Sequence, residues 1–202
     1  QNIENDQLCD VVKEMGYRVI RGSETDVLQR FYDAAVATSA DIIVRITGDC
    51  PVIDPYLVDQ AIKKFLDSDA DYVSNVDPPT FPDGLDIEVF SMQALSTARL
   101  SATLDYDREH VTPFIRNGNF KRINFKNAID TSELRVTLDE LEDLNLLRKV
   151  FEYFQPDLHF NYNKVEKLLL KNSSLMKINE QLNRNEGAEM GSGQKLWKRA
   201  KK

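Results

Sequence analysis

Cysteine is scarce. The 202-residue chain has two, Cys9 and Cys50, without metal-ligand spacing and without the numbers for a disulfide framework. That excludes a disulfide-stapled fold and points to a reducing, cytoplasmic setting. No apolar run reaches the length of a membrane span, so no membrane role is expected. No secretory or transit pattern stands at the start. Positive charge is also short: 26 Lys and Arg face 33 Asp and Glu, a net charge of −7. The chain therefore lacks the basic face of a duplex binder, and no nucleic-acid partner is expected. A polyanion such as a nucleoside triphosphate fits only if a divalent cation and a few local Arg or Lys neutralise it. Internal repeats are missing as well.

What is present is 42% hydrophobic residues, enough for one α/β domain with a core. The pattern alternates helix and strand. Residues 4–15 read as a helix and 17–20 as a short strand. Leu28, Phe31, Tyr32 and Ala35 lie at i, i+3, i+4 and i+7, a core-facing helical stripe. Residues 41–46 are nearly all apolar and predict a strand buried on both faces. Asp54-Pro55 opens a helix with the stripe Val58, Ala61, Ile62 and Phe65. Strands follow at 72–74 and 87–90, helices at 91–102 and 107–116, strands at 120–125 and 134–138. Asp139 starts a helix with Leu144, Leu147, Phe151 and Phe154 facing inward, stopped before Pro156. Two short helices fill 162–182. The alternation predicts a three-layer α/β fold with a mostly parallel sheet, and ligands beyond its C-terminal strand ends, where Asp49 falls. Residues 184–193 read as a linker, and 194–202 as the first turns of a following helix. The chain opens on Gln1 and closes on Lys202, and it is expected to be cut from a longer protein at both ends.

Five blocks resemble the sugar cytidylyltransferases, in that family's order: Gly22 to Leu28, Val44 to Pro55, Phe81 to Phe90, Arg108 to Phe114 and Leu134 to Leu144. The group includes the CMP-Kdo and CMP-acylneuraminate synthetases, and the spore-coat polysaccharide branch is the nearest in pattern. The resemblance covers 1–183 and implies a Rossmann-like, nucleotide-diphospho-sugar transferase-like fold. It also implies that the first strand and the Gly- and Arg-containing phosphate loop are missing. The implied activity is attack of a sugar hydroxyl on the α-phosphorus of CTP, with Mg²⁺ as cofactor and CTP and a sugar as partners. A homodimer through helices near 91–116 is implied too. Residues 194–202 resemble the opening of a class III aminotransferase, which would make the chain part of a fusion.

By this resemblance Asp49 and Asp139 are the catalytic, Mg²⁺-binding carboxylates, since Mg²⁺ prefers oxygen ligands. From the residues alone, Asp139-Glu140-Leu141-Glu142 reads as a capping box with Asp139 as the cap, and only the resemblance makes Asp139 a ligand. Gly22, Ser23, Arg45 and Gly48 are the nucleotide-binding candidates. Ser23 competes with a reading as helix cap. Arg45, on a buried strand, needs either a phosphate or a neighbouring carboxylate. Gly84, Asp86, Glu88, Arg108 and His110 are the sugar-site candidates, and His110 is equally a packing residue. Asp83 reads as a solvated charge, Asp54 as a helix cap, Asp107 as a helix start and His159 as structural. Two other functions compete. A nucleotide-sugar glycosyltransferase shares this architecture but places an Asp-x-Asp pair where Asp49-Cys50-Pro51 stands. A non-catalytic nucleotide-binding remnant is the third.

Overall fold

The computed structural model describes residues 5–184. The linker expected from 184 on, apart from Arg184 itself, and the tail at 194–202 lie outside them. The described chain is mixed α/β, with nine helices and a four-stranded sheet in the order β1-β3-β2-β4. The strands are β1 (Ile42–Arg45), β2 (Tyr72–Ser74), β3 (Glu88–Ser91) and β4 (Arg122–Asn124). Ser91 N bonds Asp71 O and Asn75 N bonds Ile87 O, so β3 runs against β2. Met92 N bonds Asp41 O while Arg45 pairs with Glu88, so β3 also runs against β1. Tyr72 N bonds Lys121 O and Phe125 N bonds Ser74 O, the sense of a parallel pair. Three strands thus share one direction and β3 opposes them.

Chain contacts divide the protein into two compact units. Unit 1 comprises residues up to 43, 69–72 and 90–122; unit 2 comprises 44–68, 73–89 and the residues from 123 on. Unit 1 carries α1 (Asp6–Glu14), α2 (Val27–Thr38), α4 (Met92–Ser101), α5 (Asp105–His110) and α6 (Pro113–Asn117). Its interior is apolar: Leu28, Phe90, Leu95, Val111 and Ile115 have no exposed surface. The stripe expected of α2 is realised, with Leu28 and Ala35 buried and Phe31 and Tyr32 packed against them. Unit 2 carries α3 (Pro55–Leu66), α7 (Leu141–Phe154), α8 (Tyr162–Lys171) and α9 (Ser173–Met176). Asp54 caps α3 by accepting from Tyr56 N at 2.8 Å, and its other oxygen accepts from Tyr162 N at 3.0 Å. One carboxylate therefore ties the first turns of two helices.

Several expectations are corrected. Residues 17–20 form no strand; Tyr17 N instead bonds Val12 O at 3.2 Å, closing the end of α1. β1 is not buried on both faces: it ends the sheet with one neighbour, and only Ile43 is buried. The fully buried stretches are β2 and the first three residues of β3. The helix expected over 107–116 is broken at Val111, a β-branched residue held at φ 72°, which separates α5 from α6. Asp107 does not open α5, which begins at Asp105. Residues 134–138 make one parallel bridge, Asp83 with Arg135, and no strand. The next residue, Gly84, turns the chain at φ +99° and so ends that pairing. α7 turns Leu146, Leu147 and Val150 inward, with Asp143, rather than Leu144 and Phe154. His159 is exposed, so it has no core role.

Candidate active site

Asp49 sits in the turn after β1. Its carbonyl accepts from Leu138 N at 2.8 Å and from Thr137 Oγ1 at 3.1 Å. Those two bonds dock the turn on the segment that delivers Asp139 one residue later. The carboxylates sense each other: burial first, and then the negative charge of Asp49, push the Asp139 carboxyl above its ordinary value, while Arg135 pulls it down. The two acids expected to act together are thus brought to one place in unit 2. Asp49 has no ion-pair partner among the described residues. Cys50 beside it is buried, and burial pushes its thiol up to about 12, so it is neither a thiolate ligand nor a nucleophile at neutral pH.

Asp139 is not the cap of α7. Glu140 holds that position, and Asp143 at the third helical residue accepts from Glu140 N at 3.0 Å and from Asp139 N at 3.2 Å. The capping box is shifted by one residue, which frees the Asp139 side chain for other work. One oxygen, Oδ2, accepts from Arg135 Nη2 at 2.9 Å. The other has no hydrogen bond among the described residues.

Arg135 is the hub of this region, and sequence reasoning missed it. Its side chain is 8% exposed and faces three carboxylates. Nε and Nη2 grip Asp143 at 2.9 and 2.8 Å, and Nη1 reaches Asp83 at 2.8 Å and Asn183 O at 3.2 Å. Asn179 adds bonds to Asp143 at 2.8 Å and to Arg135 O at 3.2 Å. Burial works against ionised Asp143, yet the bonds from Arg135 and Asn179 outweigh it and hold the carboxyl below its usual range. Asp83, expected in solvent, is buried in this pair, and burial raises its carboxyl against the pull of Arg184 and Arg135. An arginine inside the apolar run Leu134 to Leu138 was the available signal, because such a charge must find partners.

The remaining unit 2 candidates are placed as follows. Arg45 takes the carboxylate alternative: it pairs with Glu88, which is 3% exposed. The Arg45 Nε is a buried polar atom with no hydrogen bond among the described residues. Asp86 pairs with Arg184, which also donates to Phe81 O at 3.0 Å. Burial raises the Asp86 carboxyl to about 6, against the pull of Arg184. Gly84 is required by backbone contact: a Cβ there would lie 2.5 Å from Thr137 N. Gly48 meets no such limit, since nothing lies within 4 Å of its would-be Cβ.

In unit 1, Gly22 and Ser23 border a cavity of about 670 Å³ that also touches Arg18, Arg21 and Arg30. Ser23 does not cap α2. Asp26 does, accepting from Gln29 N at 3.0 Å, and Ser23 Oγ accepts from Asp26 N at 2.9 Å one turn earlier. Arg108 is committed to Asp26 and to Arg99 O. His110 packs on Tyr106 with ring centroids 4.5 Å apart.

The sequence profile of the cytidylyltransferases matches residues 3–189. The chain belongs to the cytidylyltransferase family. An uncharacterized protein of Methanocaldococcus jannaschii is 34% identical over 180 residues, 87% of this chain and 72% of that protein. The spore coat polysaccharide biosynthesis protein SpsF of Bacillus subtilis is 34% identical over 144 residues, 69% of this chain and 59% of SpsF. The structure of a cytidylyltransferase from Leptospira borgpetersenii superposes with a TM-score of 0.84 at 34% identity, covering 87% of this chain and 75% of that one. The fold expected from the five sequence blocks is the fold of this family.

The donor set of this cytidylyltransferase suits a hard divalent cation. Asp49 is uncompensated among the described residues, and Asp139 keeps one oxygen beyond its bond to Arg135. Among the described residues no group of three or more His, Cys, Asp or Glu side chains is arranged to hold a metal. Two carboxylates with nucleotide oxygens and water would complete the octahedron that Mg²⁺ favours. No helix among the described residues is long and apolar enough to cross a membrane.

Proposed function

We propose that the chain is the greater part of an Mg²⁺-dependent enzyme that transfers CMP from CTP to a sugar hydroxyl, releasing pyrophosphate, in surface polysaccharide synthesis in the cytoplasm. The observation that carries this is the docking of the Asp49 turn on the segment that bears Asp139, through Leu138 N and Thr137 Oγ1 to Asp49 O, which sets two carboxylates in one place with no ion-pair partner for Asp49 among the described residues. Like charges set near one another repel, and a divalent cation bound there would relieve that repulsion. Asp49 and Asp139 would hold Mg²⁺. Bound there, the metal would neutralise charge gathering on the triphosphate as the sugar oxygen attacks the α-phosphorus.

The chain's own residues shape the rest. Asp86 is the most accessible acid of the Gly84-to-Glu88 segment and is proposed to receive sugar hydroxyls, with Arg184 as its resting partner. Glu88 and Arg45 neutralise each other and are proposed to set the local field. Gly22 and Ser23 are proposed to meet the base and ribose, and His110 the sugar. Arg108 serves a ligand only by breaking its pair with Asp26. Membership of the family, and the name of SpsF, support a sugar of a surface polysaccharide, a sugar acid or a related one. The test is pyrophosphate release from CTP and Mg²⁺ over a panel of neutral, amino and acidic sugars. Release with one sugar class, abolished by EDTA, is expected. No release with any sugar overturns the reading.

A further inference from the structure

We infer that Arg135 is a positioning residue for this reaction, holding the Asp139 carboxylate where it reaches the cation. The inference rests on the function just proposed. Asp139 is at once the most exposed acid of the Arg135 cluster, with its side chain 49% exposed, and the one assigned to the metal. A half-exposed aspartate in a loop samples several rotamers, and metal binding would have to select one. Here the selection is made beforehand. The Asp139 backbone N–H ends on Asp143 Oδ2, and its carboxylate ends on Arg135 Nη2, which bonds that same Asp143 oxygen. Main chain and side chain of one residue are therefore held by a single guanidinium–carboxylate clamp. The clamp is itself braced: Asp143 is fully buried and accepts from Glu140 N and Asn179 as well.

Charge arithmetic argues that the third contact is not there for stability. Arg135 already faces two buried carboxylates, Asp83 and Asp143. These already outweigh its single positive charge and use Nε, Nη1 and Nη2. A further bond to an exposed acid adds negative charge to a site that has an excess of it and supplies little attraction, since water already solvates Asp139. What the bond does supply is direction. It occupies Oδ2 and leaves Oδ1 as the oxygen with no hydrogen bond among the described residues. A planar guanidinium can serve three carboxylates at fixed angles; a lysine ammonium is a point charge and cannot.

The test measures binding, without sugar and therefore without turnover, on the full chain. Affinity for Mn²⁺–CTP is read by electron paramagnetic resonance, and affinity for CTP in EDTA by calorimetry, for wild type, Arg135→Lys, Asp139→Asn and the double variant. Arg135→Lys is expected to weaken Mn²⁺–CTP binding about tenfold, as outer-sphere changes at metal sites do, and metal-free CTP binding less than about twofold. In the Asp139→Asn background the same substitution is expected to cost no more than about twofold, because its effect passes through Asp139. Three outcomes overturn the inference: Mn²⁺–CTP affinity unchanged in Arg135→Lys, an equal loss for metal-free CTP, or losses that multiply in full in the double variant. If Arg135→Lys does not fold, Asp143→Asn loosens the same clamp. A threefold or greater loss of Mn²⁺–CTP affinity there supports the inference, and no loss overturns it. A wild type that binds CTP no better with Mn²⁺ than without overturns the proposed function itself, and this inference with it.

Discussion

The two units bury different things. Unit 1 hides mostly hydrocarbon, around Leu28, Phe90, Leu95 and Ile115, with Asp107 its one buried acid among the described residues. Unit 2 hides charge: Arg135 with Asp83 and Asp143, and Arg45 with Glu88. Apolar burial is favourable almost anywhere it packs. A buried ion pair at best offsets its own desolvation, so it is weak as a source of stability and strong as a source of geometry. The contrast teaches that unit 2, which also has an apolar core around Leu85, Ile87, Leu146 and Leu169, adds buried ion pairs whose contribution is geometry around Asp139 rather than cohesion.

The sharpest way to break this contrast is Asp49→Asn. It is expected to lower kcat/KM for CTP by a thousandfold or more, about 4 kcal/mol of lost transition-state stabilisation. Its folding stability should stay within about 0.5 kcal/mol of wild type, because Asp49 holds no ion pair among the described residues. Pyrophosphate release and urea unfolding measure the two. Next come two interior substitutions, one that removes hydrocarbon and one that removes charge. Phe90→Ala in unit 1 should cost about 3–5 kcal/mol and be indifferent to pH. Arg135→Met in unit 2 should cost about 3–5 kcal/mol at pH 7 and progressively less as pH falls, since the orphaned Asp83 and Asp143 can then take up protons. Equal pH profiles for the two variants would erase the distinction.

Smaller effects sharpen it. Gly84→Ala should cost about 1–3 kcal/mol or more, because the backbone sits at positive φ and the new Cβ would press on Thr137 N. Gly48→Ala, with open space around it, should leave the melting temperature unchanged. Asp86 gives the finest test. Its folded carboxyl is raised to about 6 from an ordinary value near 4, so the folded chain holds this proton more tightly than the unfolded one. Its contribution therefore favours folding at low pH and is lost as pH rises from about 4 to about 6. Asp86→Asn removes that loss, so its melting temperature relative to wild type should climb across the same window and level off above it.

Much of the fold was legible because local signals agreed with tertiary packing. Tyr72–Ser74 and the Asp54-Pro55 helix start were placed by their own residues. Residues 41–46 were read as doubly buried because a short apolar run does not say which position in a sheet it takes. Residues 134–138 have strand composition, but pairing depends on Gly84, fifty residues earlier. At the site, Asp49 and Asp139 carried sequence signals of strand ends and family blocks. The capping assignment slipped by one residue because Asp139 and Glu140 are both acids followed by an acid three positions on. The clamp was invisible: Asp83 lies 52 positions from Arg135, and Asn179 lies 36 from Asp143. Only the oddity of an arginine between Leu134 and Val136 hinted at it.

Asp143 closes the first turn of α7 through Oδ2 and grips Arg135 through both of its oxygens. The opening of a 14-residue helix is therefore mechanically in series with a carboxylate proposed to hold the cation. A ligand that steadies Asp139 should slow solvent exchange of the Asp139 and Glu140 amides, although neither proton touches it. The helix end becomes a built-in gauge of occupancy, readable by hydrogen–deuterium exchange before any product has formed.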